Sequence, residues 1–392
     1  MVSFRDSPEE DAFRQEVRQF IDERLPSELK ERARYGEEGR DLAVEAAQER
    51  WMDALRDRGW HAAHWPREYG GAGLSAIEQF IFKEEMARNR VFTPYSVGIN
   101  QVGPTIMLHG NGEQKGEFLP KMLSGEDVWC QGFSEPGAGS DLASLQTRAV
   151  LDGDNYVING QKIWTSFAHE ADWMILLART DPDAPKHKGI SYFLLDMKSS
   201  GITVRPLVNM GGNTGFNEVF FDNVHVPKKN LLGEENRGWY IATTTLDIER
   251  SAVATAVNLA LRIEDLAAEV KRAAGDAPIK TSIRFELAER RIEAEIARLL
   301  SYVVISEQKR GRVPNRESAT AKLYTSELEQ RIAGTTMRLM GLHSLIVGGT
   351  AAVQGGAHGR FYLTSVASTI GGGTSEIMRN VIAIRGLGMP RS

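Results

Sequence analysis

The C-terminal stretch TIGGGTSEIMRN, Thr369 to Asn380, has the composition of a ligand-binding loop. Three consecutive glycines followed by a threonine let a flat ligand approach the backbone, because no side chain stands in the way. The only acid in the stretch, Glu376, follows the glycines at the start of an apolar, helix-like run. The loop therefore offers backbone hydrogen-bond donors, but no side chain that could take up a proton.

A second candidate segment is SEPGAGSD, Ser134 to Asp141. Its small residues can expose several backbone N–H groups beside the hydroxyls of Ser134 and Ser140, an arrangement that holds pyrophosphate. It is not a dinucleotide fingerprint, since the third glycine is missing and strand-like residues follow where a helix should begin. Taken alone, the segment is better interpreted as an ordinary glycine turn.

The segment GQKIWTS, Gly160 to Ser166, places Trp164 next to two hydroxyl side chains, those of Thr165 and Ser166. A flat apolar wall with hydrogen bonds at its edge is what an isoalloxazine ring requires. A core tryptophan is the more common explanation of such a residue when it is considered by itself.

A candidate general base lies in GWYIATTTLDIERSAVATAV, Gly238 to Val257. On a helix, Glu249 would share its face with small and apolar side chains, so we expect the carboxylate to be shielded from water. Shielding raises the pKa of a carboxylate towards the range useful to a base. Asp247 and Arg250 lie three residues apart and could pair with each other. The residues that share the face of Glu249 are Leu246, Ala252, Val253 and Ala256.

The hydrophobic period of the chain changes twice. Helical spacing begins after a capping box at Ser7, Pro8 and Glu10 and extends to Ser124. Strand-like residues follow from Glu126 to about Leu232, and helical spacing then returns. We therefore predict a mostly α chain with a β middle domain, divided into a helical domain (1–124), a β-domain (125–232) and a second helical domain (233–392).

Two finer predictions concern turns and packing. The dipeptides Asp152-Gly153 and Asn159-Gly160 are both typical of hairpin turns between strands. In the C-terminal part, one apolar stripe recurs at helical spacing: Ile283, Leu287, Ile296, Leu300 and Val303.

Composition excludes several classes of function. The formal net charge of −5 over 392 residues gives no basic surface for nucleic acid, and no apolar run is long enough to span a membrane. No secretory signal or metal-binding cysteine and histidine pattern is present, so we expect a cytoplasmic protein without a metal. The single cysteine, Cys130, lies in an apolar run and is interpreted as a buried, inert thiol.

Taken together, the motifs resemble those of the acyl-CoA dehydrogenase family, flavoproteins that oxidise acyl-CoA thioesters to 2,3-enoyl-CoA in fatty acid β-oxidation. The likeness covers nearly the whole chain and also includes GWHAAHWPREYGGAGLS, HGNGEQKGEFLPKMLSGE, FNEVFFDNVHVP and LLGEENRGW. It implies an N-terminal helical domain, a β-barrel-like middle domain and a C-terminal four-helix bundle. It also implies FAD as cofactor, and electron-transfer flavoprotein or a similar carrier as the electron acceptor.

The resemblance assigns roles to individual residues. Those implied to contact FAD are Gln131, Phe133, Ser134, Gly139, Ser140, Trp164, Thr165 and Ser166, with Thr374, Ser375 and Glu376 at the cofactor's other end. Those implied to contact the substrate are Ser140, near the CoA arm, Asp247 and Arg250, which bind CoA or fix the helix of the base, and Gly372 and Gly373.

The position of the base answers the question raised by the glycine stretch. Many family members carry the catalytic glutamate directly before the Gly-Thr of this loop, where this sequence has Gly372. A smaller set, similar to the isovaleryl-CoA and long-chain enzymes, carries it in a Leu-Asp-x-Glu-Arg motif, which LDIER matches with Glu249. The resemblance thus implies Glu249 as the base. It further implies that the Gly372 N–H and a flavin ribityl hydroxyl bind the thioester carbonyl.

Two departures from the family pattern bear on assembly. The segment GDAPIKTSIRFELAE lacks the Arg-x-x-Phe-Gly stretch, and RLMGLHSL, Arg338 to Leu345, replaces Gln-x-x-Gly-Gly. Many members use both to reach a neighbouring subunit's FAD. We expect a homotetramer or dimer of dimers, with assembly from two different chains, as in some actinobacterial relatives acting on sterol side chains, as the alternative.

Two rival functions remain open at this point. Flavin monooxygenases and nitroalkane oxidases are similar in shape, and the monooxygenases lack the base that LDIER supplies. The chain could also be a non-enzymatic subunit that completes another chain's site. Neither the acyl group nor the physiological acceptor follows from the sequence.

Overall fold

The computed structural model describes residues 6–30, 42–91, 96–248 and 253–390. By backbone contacts the chain divides into two compact units. The helical unit comprises Met1–Pro66, Gly71–Thr93 and Ser251–Ser392, and the sheet unit comprises Arg67–Gly70 and Pro94–Arg250.

The first part of the helical unit contains α1 (Pro8–Arg24), α2 (Leu42–Asp57) and α3 (Ala76–Arg88). The predicted capping box is confirmed, because the Ser7 hydroxyl accepts from the Glu10 N–H and the Ser7 N–H donates to the Glu10 carboxylate. The core here is aromatic, with Phe20 packed against Trp51 and Trp60.

The second part of the helical unit is a bundle of α7 (Val253–Ala274), α8 (Thr281–Lys309), α9 (Asn315–Met340) and α10 (Ala357–Ser368), followed by the short α11 (Ser375–Val381). The residues of the predicted apolar stripe all lie on α8, where Ile296 is 39% exposed and Ile283, Leu287, Leu300 and Val303 are half-buried. The buried residues of α8 are Ala294, Ala297, Ser301, Tyr302, Val304 and Ile305. The small side chains among them let neighbouring helices approach closely.

The sheet unit contains α4 (Gly103–His109), α5 (Gly112–Ser124), a seven-stranded sheet and α6 (Gly238–Ile248). The strand order is β1-β4-β2-β3-β7-β6, with β5 paired to β4. The strands are β1 (Trp129–Gly132), β2 (Arg148–Asp152), β3 (Asn155–Ser166), β4 (Trp173–Arg179), β5 (Ile190–Asp196), β6 (Ile202–Leu207) and β7 (Phe216–Pro227).

The two predicted hairpin turns have different outcomes. The turn at Asp152-Gly153 is confirmed, because β2 and β3 pair antiparallel on either side of it. The turn at Asn159-Gly160 is wrong, because β3 continues through both residues with a register shift against β7. Glycine is needed there for space, since a Cβ on Gly160 would lie 2.6 Å from Oγ1 of Thr147.

None of the helices in the described ranges is both long and apolar enough to cross a membrane. Cys130 is fully buried in β1, and burial raises the pKa of its thiol, which confirms the interpretation as an inert core residue.

Candidate active site

The SEPGAGSD segment leaves the end of β1 as an open loop in the sheet unit. Glu135 and Ala138 exchange two backbone hydrogen bonds of 3.0 Å, which close a turn around Pro136 and Gly137. Gly137, Gly139 and Ser140 are exposed beyond or within this turn, and a Cβ built on either glycine meets no atom within 4 Å. The loop thus presents free backbone, as pyrophosphate binding requires.

A buried ion pair fastens this loop to β3. Nζ of Lys162, which is fully buried, donates to Oε1 of Glu135 at 2.8 Å and to the carbonyl oxygen of Phe133 at 3.0 Å. The Glu135 carboxylate also accepts from the N–H groups of Gln146 and Thr147, at 2.6 and 2.8 Å. The Lys162–Glu135 pair therefore connects Phe133, at the start of the loop, to Gln146 and Thr147, which follow the loop.

The titration of this pair reflects its burial. Burial lowers the pKa of Lys162 to about 8, and the charge of Glu135 offsets only part of that effect. Burial would raise the pKa of Glu135, but the charge of Lys162 and the hydrogen bonds from Lys162, Thr147 and Gln146 leave it lowered. Both groups are therefore charged at neutral pH, and each depends on the other for compensation.

Trp164 stands out from β3 in an unusual conformation. Its φ is +60°, its side chain is 59% exposed, and the pairing of β3 with β7 shifts register between Lys162 and Thr165. A bulky residue with positive φ is strained, and such strain clusters at functional sites. The bulge turns the indole ring out of the sheet, where it lies edge-on to the ring of Phe216 at a centroid distance of 6.2 Å.

The hydroxyl of Thr165, beside this bulge, is an unused hydrogen-bonding group. Its Oγ1 is buried and has no hydrogen-bond partner among the described residues, and a buried hydroxyl without a partner costs about 1–3 kcal/mol. Ser166, the next residue, is half-buried. An exposed indole face, an orphaned hydroxyl and an open glycine loop fit the ring and pyrophosphate of FAD.

Two other predicted flavin contacts, Phe133 and Gln131, are held in the sheet unit by packing or hydrogen bonds. The Phe133 ring is buried and packs edge-on against Tyr192 at 5.9 Å, while its carbonyl oxygen is bound by Lys162. Gln131 donates from Nε2 to Oε1 of Gln101 at 3.0 Å.

The glycine loop, residues 369–374, lies between α10 and α11 of the helical unit. Gly372 and Gly373 have φ values of +63° and +94°, a region that favours glycine. A Cβ on Gly372 would meet no atom within 4 Å. No acceptor for the Gly372 N–H is found within the described part of the chain, so this donor is available to a ligand.

The residues after the glycines form the start of α11. Thr374 is the N-cap, and its Oγ1 accepts from the Ile377 N–H at 3.2 Å. Ser375 is buried, and its Oγ has no partner among the described residues. Glu376 is exposed, and hydrogen bonds from its own backbone and from Thr374 lower the pKa of its carboxyl.

A polar cleft of about 560 Å³ opens beside this loop. It brings together the three residues that the sequence assigned to the cofactor's other end, Thr374, Ser375 and Glu376. The remaining lining residues are Glu327, Gln330, Arg331, Thr369, Ile370 and Arg379.

The predicted base, Glu249, and Arg250 both lie outside the described residues, in the interval 249–252 between α6 and α7. Asp247 belongs to α6, which ends at Ile248, and Val253, the first residue of α7, is fully buried. The roles of Glu249, Asp247 and Arg250 therefore stay predictions.

Two cations that hold loops were not predicted from the sequence: Lys162 in the sheet unit and Lys322 in the helical unit. Lys162 lies within the segment GQKIWTS but was assigned no role there, and Lys322 lies in no recognised motif. Their partners lie 27 to 51 residues away along the chain. A lysine at an otherwise apolar strand position was the only local signal, and it applied to Lys162 alone.

Comparison with known proteins covers nearly the whole chain. Residues 7–126, 130–224 and 236–387 match the N-terminal, middle and C-terminal domains of acyl-CoA dehydrogenase, in that order. Acyl-CoA dehydrogenase FadE34 of Mycobacterium tuberculosis is 42% identical over 88% of this chain, which spans 47% of that relative's length. Acyl-CoA dehydrogenase IpdE1 of the same organism is 35% identical over 97% of both chains.

A solved structure described as Tcur3481-Tcur3483 steroid ACAD has a TM-score of 0.86 and 35% identity, and covers 100% of both chains. Its likeness confirms the predicted fold class, helical at both ends with a β middle part. The family resemblance first indicated by the motifs is confirmed as well. The chain belongs to the acyl-CoA dehydrogenase family and is an FAD-dependent oxidoreductase of that type.

Proposed function

We propose that the chain catalyses α,β-dehydrogenation of an acyl-CoA thioester to the 2,3-enoyl-CoA, with Glu249 as the general base. The observation that carries the proposal is Gly372, which has a positive φ, open surroundings and an N–H with no acceptor among the described residues. This position can donate a hydrogen bond, but it has no side chain that accepts a proton. The base must therefore come from another element, and LDIER supplies the carboxylate.

Glu376, the acid nearest to the glycines in sequence, is a poor alternative base. It is exposed, and the hydrogen bonds that lower its pKa make the carboxylate a weaker proton acceptor. General bases work best when their pKa lies near the operating pH. We assign Glu376 to the cofactor's distal portion instead, together with Thr374 and Ser375.

The chain's residues divide the remaining tasks. A thioester α-proton is too weakly acidic for a carboxylate in water, so the carbonyl oxygen must be stabilised as Glu249 removes the proton. The Gly372 N–H donates to that oxygen, and Gly373 lets the substrate approach. Ser140, Asp247 and Arg250 contact the CoA portion or fix the helix of the base. Bound FAD supplies the acceptor, flavin N5, for the hydride that leaves the β-carbon.

The residues of the sheet unit hold the cofactor in this proposal. The backbone of Gly139 and Ser140, with the hydroxyl of Ser134, binds the pyrophosphate. Trp164 lies against the flavin ring, while the Thr165 hydroxyl and Ser166 bond to its edge. Gln131 and Phe133 complete the wall at the end of β1.

The reaction class is tested by following electrons and product together. Purified protein is incubated with a thioester and an artificial dye, and the product is analysed by mass spectrometry. We expect a loss of two hydrogens from the acyl group coupled to dye reduction. Oxygen consumption with peroxide release or an oxygenated product would indicate the monooxygenase or oxidase alternative instead.

We propose that the acyl group is branched or bulky. Three glycines leave no side-chain bulk at residues 371–373, and the Tcur3481-Tcur3483 protein, 35% identical to this chain, is described as a steroid ACAD. Turnover with straight, branched and steroid-derived thioesters tests this. A clear preference for straight medium chains would contradict it.

We further propose that the chain pairs with a second, related chain, and that electron-transfer flavoprotein or a similar carrier reoxidises the enzyme. Arg338 replaces the glutamine with which many family members reach a neighbour's FAD, and here Glu286 binds both Arg338 and, at 2.8 Å, the Thr335 hydroxyl. Arg338 is therefore occupied within its own chain. The solved structure that this chain resembles, Tcur3481-Tcur3483 steroid ACAD, is also named after two proteins.

Light scattering and the FAD-to-protein ratio test the assembly. We expect less than one FAD per chain when this chain is expressed alone, and full occupancy of its site with the partner. A homotetramer with one FAD per subunit would show that the occupied Arg338 does no harm and would contradict the two-chain proposal.

A further inference from the structure

One lysine joins both ends of the glycine loop in the helical unit. Nζ of Lys322, on α9, donates to the carbonyl oxygen of Ser368 at 3.0 Å and to that of Gly373 at 2.6 Å. Ser368 is the last residue of α10, and Gly373 lies just before the cap of α11. A single side chain therefore bridges the segment that contains the free Gly372 N–H.

Within the described parts of the chain, the loop has few other hydrogen bonds that could fix its conformation. Within it, the Ser375 N–H bonds to the Thr369 carbonyl at 3.0 Å, and the N–H groups of Ile370 and Gly371 both turn back to Ala367. The glycines have no side chains to pack, and their backbone is intrinsically free. The orientation of the Gly372 peptide thus depends on how the two ends are held.

Among the described residues, each of two other polar groups of α9 bonds on one side of the loop. Gln330 donates to the Thr369 hydroxyl at 2.9 Å, and Glu327 accepts from Arg379 of α11 at 2.6 Å. Among the contacts found for the described residues, only that of Lys322 joins α9 to Gly373. No carboxylate in the described ranges forms an ion pair with Lys322, so its ammonium group is directed at carbonyl oxygens alone.

A methionine at this position would fill the same space without the desolvation cost of a charge. What the ammonium group adds is the pair of hydrogen bonds, each strengthened by the charge of the donor. A cation shared between two carbonyls also fixes their separation, which glycine backbone cannot do by itself.

We propose that Lys322 is a positioning residue that holds the Gly372 N–H in place to bind the thioester carbonyl during removal of the α-proton. This inference rests on the function proposed above for Gly372. It predicts that loss of Lys322 impairs proton removal far more than substrate binding, because the CoA contacts lie elsewhere. A displacement of about 1 Å at a catalytic group can cost about 10²-fold in rate.

The test uses a 3-thia analogue of the best thioester from the dye screen. Such an analogue can lose its α-proton but has no β-hydride to give, so the resulting enolate lies against oxidised FAD and produces a long-wavelength absorption band. The wild type is compared with Lys322→Met, Lys322→Arg, Lys322→Gln and the exposed-lysine control Lys271→Met, at matched FAD content. The dissociation constant of the analogue is measured in the same titration.

We expect Lys322→Met to reduce the band and kcat about 10²-fold, while analogue binding changes less than about threefold. Lys322→Arg should retain most of the band, since a guanidinium fork can reach two carbonyls, and Lys322→Gln should be intermediate. Lys271→Met should match the wild type. A full band in Lys322→Met would overturn the proposal. If Lys322→Met does not fold, a folded Lys322→Gln variant with a full band would overturn the proposal equally.

Different results would contradict the proposed function and the proposed role of Lys322. Wild-type protein that holds FAD and binds the analogue but gives no band would contradict the proposed function itself. A wild-type band with unaltered variants would contradict only the role of Lys322.

Discussion

At the scale of single residues, the site depends on groups that are costly to bury or strained. Lys162 and Glu135 are buried as a pair, Trp164 is held with positive φ, and the Thr165 hydroxyl lacks a partner. Each of these features is energetically unfavourable in the protein without a ligand. Each is explained if the loop they shape is built to receive FAD.

Glu135→Gln should lower the free energy of unfolding by about 3 kcal/mol, because it leaves the Lys162 charge buried without a counter-charge. It should also weaken FAD retention, since the loop loses its tie to β3. Urea unfolding and FAD release are compared with those of Glu170→Gln, an exposed carboxylate of the same unit. Equal unfolding free energies in the two variants would contradict the importance of the pair.

Trp164→Asn should separate stability from cofactor binding. Asparagine tolerates positive φ, and the exposed indole contributes little burial, so the FAD-free protein should keep its unfolding free energy within about 1 kcal/mol. FAD affinity should fall at least about tenfold, measured by fluorescence titration. A large loss of stability with unchanged FAD affinity would instead mark Trp164 as a packing residue.

At the scale of elements, a buried charge network ties together α1, α3 and α8 in the helical unit. Arg14 bonds to both Glu84 and Glu85, at 2.7 and 2.6 Å, Arg18 bonds to Glu85, and Arg298 of α8 bonds to Glu84 at 3.1 Å. Burial would raise the pKa of Glu85, but the hydrogen bonds from Arg18 and Arg14 leave it below its ordinary value of 4.5.

The sign of the resulting pH dependence follows from that direction. A carboxylate whose folded-state pKa is lowered contributes stability above about pH 4.5, and this contribution is lost as the pH falls through the folded value. Urea unfolding between pH 3 and 7 should therefore show stability falling steeply below about pH 4.5. Glu85→Gln should be less stable at pH 7 and show a shallower fall. The exposed Glu49→Gln should keep the wild-type slope, and an unchanged slope in Glu85→Gln would contradict this account.

The elements also show where sequence reasoning succeeds. The capping box at Ser7 and the turn at Asp152-Gly153 were predictable because their partners lie within a few residues. The turn at Asn159-Gly160 failed because β7, about 60 residues further along the chain, pairs with β3 on both sides of these residues and keeps them in the strand.

The same distinction applies to the site. Short motifs indicated the flavin and glycine loops, because their composition reveals open backbone. The lysines that hold these loops could not be predicted, because their contacts exist only after distant segments have come together.

At the scale of the whole molecule, we propose that the proton acceptor, Glu249, and the donor to the thioester carbonyl, the Gly372 N–H, lie on different segments of the chain. If that division is correct, a carboxylate at residue 372 should compensate in part for loss of Glu249. Gly372→Glu has open space for its Cβ, although its positive φ costs about 1 kcal/mol or more. In the Glu249→Gln background it should restore measurable dye reduction, whereas Gly371→Glu, the matched control, should not. Rescue by neither or by both would contradict the placement at residue 372.

The most direct test of the central claim is the rate at which a thioester bleaches enzyme-bound FAD in the absence of oxygen. Glu249→Gln keeps the size of the side chain but cannot accept the proton. We predict a bleaching rate about 10²–10⁴-fold below that of the wild type, with FAD content and thioester binding nearly unchanged and with Glu376→Gln close to the wild type. Bleaching by Glu249→Gln at a near-normal rate, or a comparable loss in Glu376→Gln, would contradict the assignment of Glu249 as the base.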